Sequence, residues 1–247
     1  MTMPQPTVSI VVPVFNEAGN LTPLMAEMEQ ALAGHAFEVI IVDDGSTDGT
    51  GQEIGLLARR HAWLRHLRHD RSCGKSAAIR TAAARAHAPL LVTIDGDGQN
   101  DPAFIPRFLA RMGEAGPGCG LVHGQRLGRK DTPFKRLQSR IANAVRRSIL
   151  RDGTRDTGCG FTLVRREVYL NLPFFDALHR FMPALVRRDG YTIAHVDVVD
   201  RPRLSGISKY GFFDRLAAGI VDLVGVGWLL MRRRRVPKSE EIASRVP

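Results

Sequence analysis

The sequence predicts an α/β fold with a mostly parallel sheet flanked by helices. Short β-branched apolar runs alternate with helical patterns along the first hundred residues, which is typical of βαβ units. The apolar runs contain few polar residues, as expected of strands that helices cover on both faces. With 247 residues, of which 44% are hydrophobic and 24% charged, the chain has the length and composition of one large globular domain.

Strands and helices of the first half follow one another in a regular series. Val8 to Phe15 and Phe37 to Val42 are apolar runs that suit buried strands, and the second stops at an Asp-Asp-Gly-Ser turn. Between them, Leu21 to Leu32 has the apolar spacing of a helix. We predict the rest of the series as a helix at 52–60, a strand at 64–67, an alanine-rich helix at 75–86 and a strand at 90–94.

The second half of the chain has a less regular pattern. Beyond Gly124 we predict a basic helix at 135–150, a helix at 181–188 and a strand at 192–198. No internal repeat and no low-complexity linker separates these segments from the first half. They therefore belong to the same domain.

The end of the chain differs in kind. Residues 216–231 are almost wholly apolar apart from Asp222, and four arginines follow at 232–235. This run of 16 residues is shorter than the about 20 that a membrane-spanning helix needs. We therefore predict an interfacial or re-entrant helix at 212–231 and a basic tail at 232–247, with the arginines attracted to anionic headgroups. The alternative is a buried packing helix followed by a solvated tail.

The charge of the chain is concentrated in blocks. Its 35 Lys and Arg residues exceed its 25 Asp and Glu residues, which gives a formal net charge of +10. Residues 1–58 hold eight acidic residues and no Lys or Arg, whereas residues 126–155 hold ten basic and two acidic ones. Nucleic acid, a phosphorylated substrate and an anionic membrane surface are each compatible with such a basic block.

The cysteines indicate a reducing compartment. Cys73, Cys119 and Cys159 are odd in number, far apart and without a Cys-x-x-Cys pair, which argues against a disulfide framework. No Lys or Arg precedes Arg59, so the first apolar run lacks the basic flank of a secretory signal. We therefore expect the protein to stay in the cytoplasm, where it is made.

Acidic residues follow the predicted strand at 90–94, at the edge where α/β sheets bind their ligands. Asp95 and Asp97 lie two residues apart, so their side chains point the same way, and two converging carboxylates favour a cation between them. With Gln99 as a carbonyl ligand they suit Mg²⁺ or Mn²⁺, bridging to a diphosphate, rather than Zn²⁺. The alternative is an acidic turn that caps the next helix, starting at Asp101-Pro102.

Two further clusters lie near the same predicted edge. Asp43 and Asp44 follow the second strand, where a carboxylate can accept hydrogen bonds from a ribose or a base. The alternative is an N-cap for the helix at 52–60. A Gly-Lys-Ser segment around Lys75 lacks the spacing of a phosphate loop, because His69 stands where that loop needs a glycine. Lys75 still lies at a helix start close to the cleft, where it can contact a ligand.

Taken in order, these segments resemble a known enzyme family. They are Val-Pro-Val-Phe-Asn-Glu at 12–17, Val-Asp-Asp-Gly-Ser-Thr-Asp at 42–48, Gly-Lys-Ser-Ala-Ala at 74–78, Asp-Gly-Asp-Gly-Gln at 95–99, Gly-Gln-Arg at 124–126, Asp-Thr-Gly-Cys-Gly-Phe at 156–161, His-Arg-Phe at 179–181, and Arg-Pro-Arg with Gly-Ile-Ser-Lys-Tyr-Gly at 201–211. The set resembles family 2 glycosyltransferases, and within them the polyprenyl-phosphate branch typified by dolichol-phosphate mannosyltransferase. This resemblance covers about residues 6–212 and implies a GT-A type nucleotide-sugar-binding fold, with residues 1–211 as the catalytic domain.

The resemblance implies a set of site residues. The expected donor-binding residues are Pro13, Glu17, Asp43, Asp44, Lys75, Asp95, Arg203 and Lys209, with Asp43 or Asp44 on the nucleotide base. The expected metal ligands are Asp95, Asp97 and Gln99, and the expected acceptor-phosphate residues are Arg126, Ser139 and Arg140. Asp97 and Asp156 are the expected catalytic residues, Asp156 either as a base or as a holder of an arginine or of sugar hydroxyls. Gly96 and Gly98 stand where the family usually has Ala and Leu, and Gln125 where it often has Ser.

The implied reaction is transfer of a sugar, with inversion, from a GDP- or UDP-linked donor to a polyprenyl phosphate. It would need Mg²⁺ or Mn²⁺ and would occur at the cytoplasmic face of the plasma membrane, with the protein peripheral or monotopic and a homo-oligomer or a membrane protein as a further partner. One alternative is a transferase of the same fold with a glycan or other non-lipid acceptor. Another is a non-catalytic module that binds nucleotides or nucleic acid, although an aromatic content of 6% disfavours a single-strand binder.

Overall fold

The computed structural model describes residues 5–127, 149–150, 152–154, 156, 158–202 and 212–232. Its strands are β1 (Val8–Val14), β2 (Phe37–Asp43), β3 (Leu64–Arg68), β4 (Leu90–Thr93), β5 (Cys119–Arg126), β6 (Thr162–Arg165) and β7 (Thr192–Val198). Its helices are α1 (Leu21–Ala31), α2 (Thr50–Arg60), α3 (Lys75–Arg85), a 3₁₀ helix (Pro102–Phe104), α4 (Ile105–Ala115), α5 (Arg166–Asn171), α6 (Leu178–Arg188) and α7 (Phe212–Met231).

The seven strands form one mixed sheet in the order β3-β2-β1-β4-β6-β5-β7. Strand β1 is parallel to β2 and β4, and β5 is parallel to β7, whereas β6 is antiparallel to both of its neighbours. The end of β4 therefore pairs with the start of β6, Thr93 opposite Thr162. Because of this reversal, the segment before β6 reaches the edge of the sheet where the parallel strands end.

Helices cover both faces of the sheet. In β1, Val8, Ile10 and Val12 belong to an apolar cluster that includes residues of α1, α2 and α4, while Val11 belongs to a second cluster with α3, α5, α6 and Val226 of α7. Alternate side chains of a strand point to opposite faces, so both faces of β1 are buried. This explains why the strand is apolar throughout its length instead of alternating with polar residues.

The structure confirms the α/β class and most of the predicted elements. The predicted strands at 8–15, 37–42, 64–67, 90–94 and 192–198 correspond to β1–β4 and β7, and the predicted helices of the first half correspond to α1–α3. The helix predicted at 181–188 begins three residues earlier, at Leu178, and strands β5 and β6 were not predicted. The basic helix predicted at 135–150 lies outside the described residues, apart from 149–150.

The predicted terminal helix is present as α7, which begins at Phe212. Within the described ranges, no helix is both long enough and apolar enough to cross a bilayer.

Candidate active site

Asp95 and Asp97 lie in the loop that follows β4. The carboxylate of Asp95 accepts a hydrogen bond from the Lys75 ammonium at the start of α3, and its backbone N–H donates to Asn100 Oδ1 at 3.1 Å. Asp97 Oδ1 accepts the Gln99 N–H at 3.1 Å. Burial alone would raise the pKa of Asp95, but the charge of Lys75 outweighs it and holds this pKa below its usual range. The loop thus presents an ionised carboxylate beside a buried one.

The alternative interpretation, an acidic turn that caps the next helix from Asp101-Pro102, is confirmed for Asp101. Asp101 Oδ1 accepts the Ala103 N–H at 2.9 Å and caps the 3₁₀ helix, so neither Asp95 nor Asp97 is used for the cap. Helix capping therefore does not explain the presence of Asp95 and Asp97 in this loop.

The structure explains why this loop has glycine at 96 and 98. A Cβ atom on Gly96 would lie 2.5 Å from Val14 Cγ1, so Val14 of β1 fills the space that an alanine would need. Gly98 has a φ of +75°, a left-handed conformation that is strained for leucine. The glycines at both positions are therefore explained by the shape of this loop.

Asp44 is held by the loop that leads from β3 into α3. Its carboxylate accepts hydrogen bonds from the N–H groups of Cys73 and Gly74, the Ser72 hydroxyl at 2.8 Å and His69 Nδ1 at 2.7 Å. Burial alone would raise the pKa of Asp44, but these hydrogen bonds outweigh it and keep the pKa below its usual range. Asp44 thus orders the backbone that leads directly to Lys75.

Asp43 occupies a different environment. Its Oδ1 accepts the Ser46 N–H at 2.8 Å, whereas the fully buried Oδ2 has no hydrogen-bond partner among the described residues and lies 3.5 Å from Arg68 Nε. The alternative role as an N-cap for α2 is wrong for both acids, because α2 begins at Thr50 with Gly49 as its N-cap.

The end of β1 is joined to the turn after β2. The backbone N–H of Asn16 donates to Ser46 Oγ at 2.9 Å, and Asn16 Oδ1 accepts the Thr47 N–H at 2.8 Å. Glu17 Oε2 accepts from Asn20 Nδ2 at 2.7 Å. Pro13 in β1, Glu17 and the Asp43–Asp44 pair therefore lie at one edge of the sheet, and their role in donor binding stays a prediction.

Arg126, at the end of β5, forms ion pairs with two carboxylates. Its Nε and Nη2 donate to the two oxygens of Asp156, at 2.5 and 3.0 Å, and its Nη1 donates to Asp200 at 3.2 Å. The hydrogen bonds with Asp156 raise the pKa of Arg126, while burial raises the pKa of Asp200. Asp156 thus acts as a holder of Arg126 in this structure, one of the two roles expected for it.

Asp200 connects this arginine to the acidic loop. Its Oδ1 accepts from Asn100 Nδ2 at 3.5 Å, and Asn100 in turn accepts the Asp95 N–H. The next residue, Arg201, donates its N–H to the Gln99 carbonyl at 2.9 Å, and its guanidinium donates to Glu27 at 2.9 Å and pairs with Asp101 at 2.5 Å. The region after β7 therefore connects Arg126 to the loop after β4.

The segment before β6 passes close to the Lys75–Asp95 pair. A Cβ on Gly160 would lie 2.6 Å from Lys75 Nζ and 2.7 Å from Asp95 Oδ2, so a larger residue at this position would displace the ends of these two side chains. The Gly160 carbonyl accepts from Thr93 Oγ1 at 2.8 Å. Nearby, His179 Nδ1 lies 2.8 Å from Ser76 Oγ, and burial together with the charges of Lys75 and Arg180 lowers the pKa of His179 to about 3.

Residues 9–172 match the profile of glycosyl transferase family 2. The chain belongs to this family.

This family 2 glycosyltransferase is similar to curated relatives over most of its length. It is 32% identical over 233 residues to dodecaprenyl-phosphate galacturonate synthase of Rhizobium johnstonii, covering 92% of this chain and 68% of that protein. It is 33% identical over 221 residues to undecaprenyl-phosphate 4-deoxy-4-formamido-L-arabinose transferase of Pseudomonas aeruginosa, covering 88% of this chain and 64% of that protein. The chain thus spans about two thirds of the length of these relatives.

The fold of the glycosyltransferase is also found among solved structures. Glucosyl-3-phosphoglycerate synthase of Mycobacterium tuberculosis, in complex with Mn²⁺, UDP and glucosyl-3-phosphoglycerate, superposes with a TM-score of 0.67 at 23% identity, covering 95% of this chain and 82% of that one. Its complex with Mn²⁺, UDP-glucose and phosphoglyceric acid gives 0.68 at 22% identity. The expected GT-A type fold is confirmed.

Four expected site residues lie outside the described part of the chain: Ser139, Arg140, Arg203 and Lys209. Asn100, His179 and Asp200 were not among the expected site residues. Asp200 follows the end of β7, at the edge where α/β sheets bind their ligands. The same reasoning identified Asp95. The contact of Asn100 with Asp200 spans 100 residues and has no local signal in the sequence.

Proposed function

We propose that this glycosyltransferase moves a sugar, with inversion, from a nucleotide-diphosphate sugar to a polyprenyl phosphate. The observation that carries the proposal is the link between two half-sites. The acidic loop with Asp95 and Asp97 is joined through Asn100 and Asp200 to Arg126, the residue expected to meet the acceptor phosphate. The names of the two relatives, both polyprenyl-phosphate enzymes that match about nine tenths of this chain, support the choice of acceptor.

Asp95, Asp97 and Gln99 fit a divalent cation. All three offer oxygen ligands, which Mg²⁺ and Mn²⁺ prefer, and Asp97 is buried beside the ionised Asp95. A bound Mg²⁺ or Mn²⁺ would neutralise charge on the leaving diphosphate. Lys75, already paired with Asp95, adds a positive charge at the same place, and Arg203 and Lys209 are proposed to add two more from beyond β7.

Asp156 is proposed to position Arg126 rather than to act as a base. Both of its oxygens are used by the guanidinium. The acceptor needs little help to lose a proton, because a phosphate monoester with a second pKa near about 6 is largely ionised at neutral pH. In the proposed step a phosphate oxygen attacks the anomeric carbon, and the bond to the diphosphate oxygen breaks with its electron pair on the leaving group. Alignment of the two substrates supplies the rest of the rate enhancement.

Helix α7 is proposed to rest on the membrane surface. Ile220, Val221, Val224, Trp228 and Met231 are each 56–79% exposed and fall within about 100° of the helix circumference. On the other side of the helix Val226 is buried. Four arginines follow at 232–235, and each is attracted to an anionic surface by about 1 kcal/mol. The proposed place is the cytoplasmic face of the plasma membrane, with the chain peripheral to it.

Transfer of radiolabelled sugar tests the reaction. A panel of GDP- and UDP-sugars is offered with polyprenyl phosphate, and label is measured in the organic phase with Mn²⁺, Mg²⁺ or EDTA. We expect label that requires metal, is lost in Asp97→Asn and persists in Asp70→Asn, a matched change at an exposed carboxylate outside the site. Metal-dependent donor hydrolysis without lipid label would overturn the acceptor and favour a non-lipid acceptor.

Co-sedimentation with phosphatidylglycerol vesicles tests the proposed membrane contact. Val224→Glu should reduce binding, whereas Leu56→Glu, at an apolar residue of α2 that is 57% exposed, should not. Equal binding by both variants would contradict the proposal. If a second copy covers this face instead, light scattering will show a dimer that Val224→Glu dissociates.

A further inference from the structure

Helix α3 begins without a side-chain cap. Its N-cap residue is Gly74, which has a φ of +88° and no side chain that could accept a hydrogen bond from the first turn. Asp44 accepts the N–H groups of Cys73 and Gly74, but these two groups precede the helix. The ends of helices fray when nothing holds them. Lys75, the first residue of α3, therefore depends on contacts from other elements to keep its place.

His179, the second residue of α6, supplies such a contact through Ser76. The buried Ser76 hydroxyl accepts the His179 backbone N–H at 3.3 Å and lies 2.8 Å from His179 Nδ1. Because the oxygen already accepts the backbone N–H, the hydroxyl proton is directed to Nδ1, which accepts it. One histidine thus holds one serine at two points, and this serine follows Lys75 directly.

The His179 ring is neutral in this position. Burial and the charges of Lys75 and Arg180 lower its pKa to about 3. The ring therefore keeps a lone pair on Nδ1 for the Ser76 hydroxyl. It also carries no positive charge that would compete with Lys75 for the Asp95 carboxylate.

The turn before α6 lies against the start of α3. Ala177, the N-cap of α6, has a φ of +61°, a left-handed conformation that is strained for a residue with a side chain. Asp176 Oδ1 accepts the Ala177 N–H at 2.7 Å and lies 3.5 Å from the place that a Cβ of Gly74 would occupy. Such strain persists where the surrounding contacts fix the backbone. The contact between residues 176–179 and 74–76 is therefore a defined feature of the fold.

We propose that His179 is a positioning residue for Lys75. Through Ser76 it holds the first turn of α3, so that the Lys75 ammonium stays paired with Asp95 at the place expected for the donor diphosphate. This role rests on the proposed function, which makes the diphosphate the group that Lys75 meets. Two consequences follow: His179 affects donor binding only through Lys75, and it does so by its Nδ1 rather than by its Nε2.

Two amide side chains at position 179 separate the two ring nitrogens. In His179→Asn the terminal amide atoms occupy the position of Nδ1, so its oxygen can still accept the Ser76 hydroxyl. In His179→Gln these atoms lie one bond farther from the backbone, near the position of Nε2. Ser76→Ala removes the hydroxyl itself and provides the test if His179→Gln fails to fold. His35→Gln, at an exposed histidine between α1 and β2, is the matched control.

Amide hydrogen exchange measures the order of the first turn without any substrate. The Ala78 N–H donates to the Gly74 carbonyl at 3.1 Å, so its exchange reports opening of this turn. Exchange at Ala78 should be at least about fivefold faster in His179→Gln and Ser76→Ala, and unchanged in His179→Asn and His35→Gln. An unchanged rate in both His179→Gln and Ser76→Ala would overturn the inference, whatever reaction the protein catalyses.

Calorimetric titration with UDP and with GDP, in the presence of Mn²⁺, measures the effect on the donor site. For the nucleotide that binds more tightly, His179→Gln and Ser76→Ala should weaken binding about 10-fold, and His179→Asn less than about threefold. In a Lys75→Met protein, His179→Gln should cause no further loss, because its effect passes through Lys75. The positioning role is wrong if His179→Gln causes the same loss with and without Lys75, or if His179→Asn loses as much as His179→Gln.

Nucleotide binding by the wild-type protein separates this inference from the proposed function. If neither UDP nor GDP binds to it, the proposed donor site is wrong, and so is the role of His179. If a nucleotide binds equally well to the wild-type protein, His179→Gln and Ser76→Ala, the donor site is retained and only the role of His179 is refuted.

Discussion

Replacing Asp156 by asparagine should loosen Arg126 without removing a base from the reaction. The substitution keeps the size of the side chain but removes its charge and leaves one oxygen to accept a hydrogen bond. In the structure that carboxylate receives both Nε and Nη2 of Arg126, at 2.5 and 3.0 Å. The variant therefore breaks a two-point contact between largely buried groups.

The size of the effect follows from this contact. The two side chains are 19% and 13% exposed, and hydrogen bonds to charged groups contribute about 1.5–3 kcal/mol. Asp156→Asn should then lower the free energy of unfolding by about 2 kcal/mol. Arg126→Met should lower it by about 3 kcal/mol, because it leaves Asp200 as well as Asp156 without its cation. The double variant should lose about 3 kcal/mol, which is less than the two single losses together.

Urea unfolding of the four proteins measures this coupling, and steady-state kinetics measures the role in turnover. A residue that positions Arg126 should, when changed, raise the KM for the acceptor more than it lowers kcat. Removal of a general base should instead lower kcat by about 10²–10⁴-fold and leave the KM for the acceptor unchanged. Two outcomes would refute the positioning role. One is that the losses of unfolding free energy in the two single variants add up to the loss in the double variant within about 0.5 kcal/mol, and the other is a decrease in kcat without a change in the KM for the acceptor.

Three further predictions concern stability and the loop after β4. Burial lowers the pKa of His123 from 6.5 to about 4. Between these pH values the unfolded chain binds a proton at this residue and the native protein does not. The free energy of unfolding should therefore decrease by up to about 1.4 kcal/mol per pH unit as the pH falls from about 6.5 to about 4. Urea unfolding at pH 7 and pH 5 should show a smaller pH dependence in His123→Gln, and an unchanged one would be evidence against this assignment. Gly160→Ala should displace the Lys–Asp ion pair and weaken metal binding, measured by calorimetry, with little loss of stability because flexible side-chain ends can move; unaltered metal affinity would contradict it. Gly96→Ala should destabilise the fold by about 1–3 kcal/mol through overpacking against Val14, and Val14→Ala should relieve most of that loss in thermal melts, whereas independent effects would rule out the contact.

Local patterns were sufficient to predict the strands of the first half and the acidic loop after β4. Strand β1 is buried on both faces, so its apolar run is a strong signal, and Asp95 and Asp97 stand out because they follow such a run. Strand β6 has only four residues, and its pairing with β4 joins residues that are about 70 positions apart. Nothing local in the sequence indicates that pairing or its antiparallel direction.

The roles of single acids were harder to predict than their positions. Asp43 and Asp44 are adjacent in the sequence, yet Asp44 is held by the loop after β3 and Asp43 by its own turn and Arg68. Apart from the turn that holds Asp43, these partners lie more than 20 positions away in the sequence. The position of the pair at the end of a strand therefore predicts that both acids lie at the edge of the sheet, but it does not predict their different partners. Asp200 was missed because its partner Arg126 is 74 residues away, on a strand that was not predicted.

Arg201 also has a consequence for the order in which the protein assembles. Every metal ligand proposed here lies before residue 100, so a ribosome releases all of them when less than half of the chain has emerged. Yet the loop that carries them is fastened by Arg201, which bonds to the Gln99 carbonyl and reaches back 174 residues to Glu27. Such distant contacts form late, after the local ones. The nascent chain should therefore acquire a firm cation site only when β7 has joined the sheet, and fragments that stop before Arg201 should hold the donor residues without the geometry to use them.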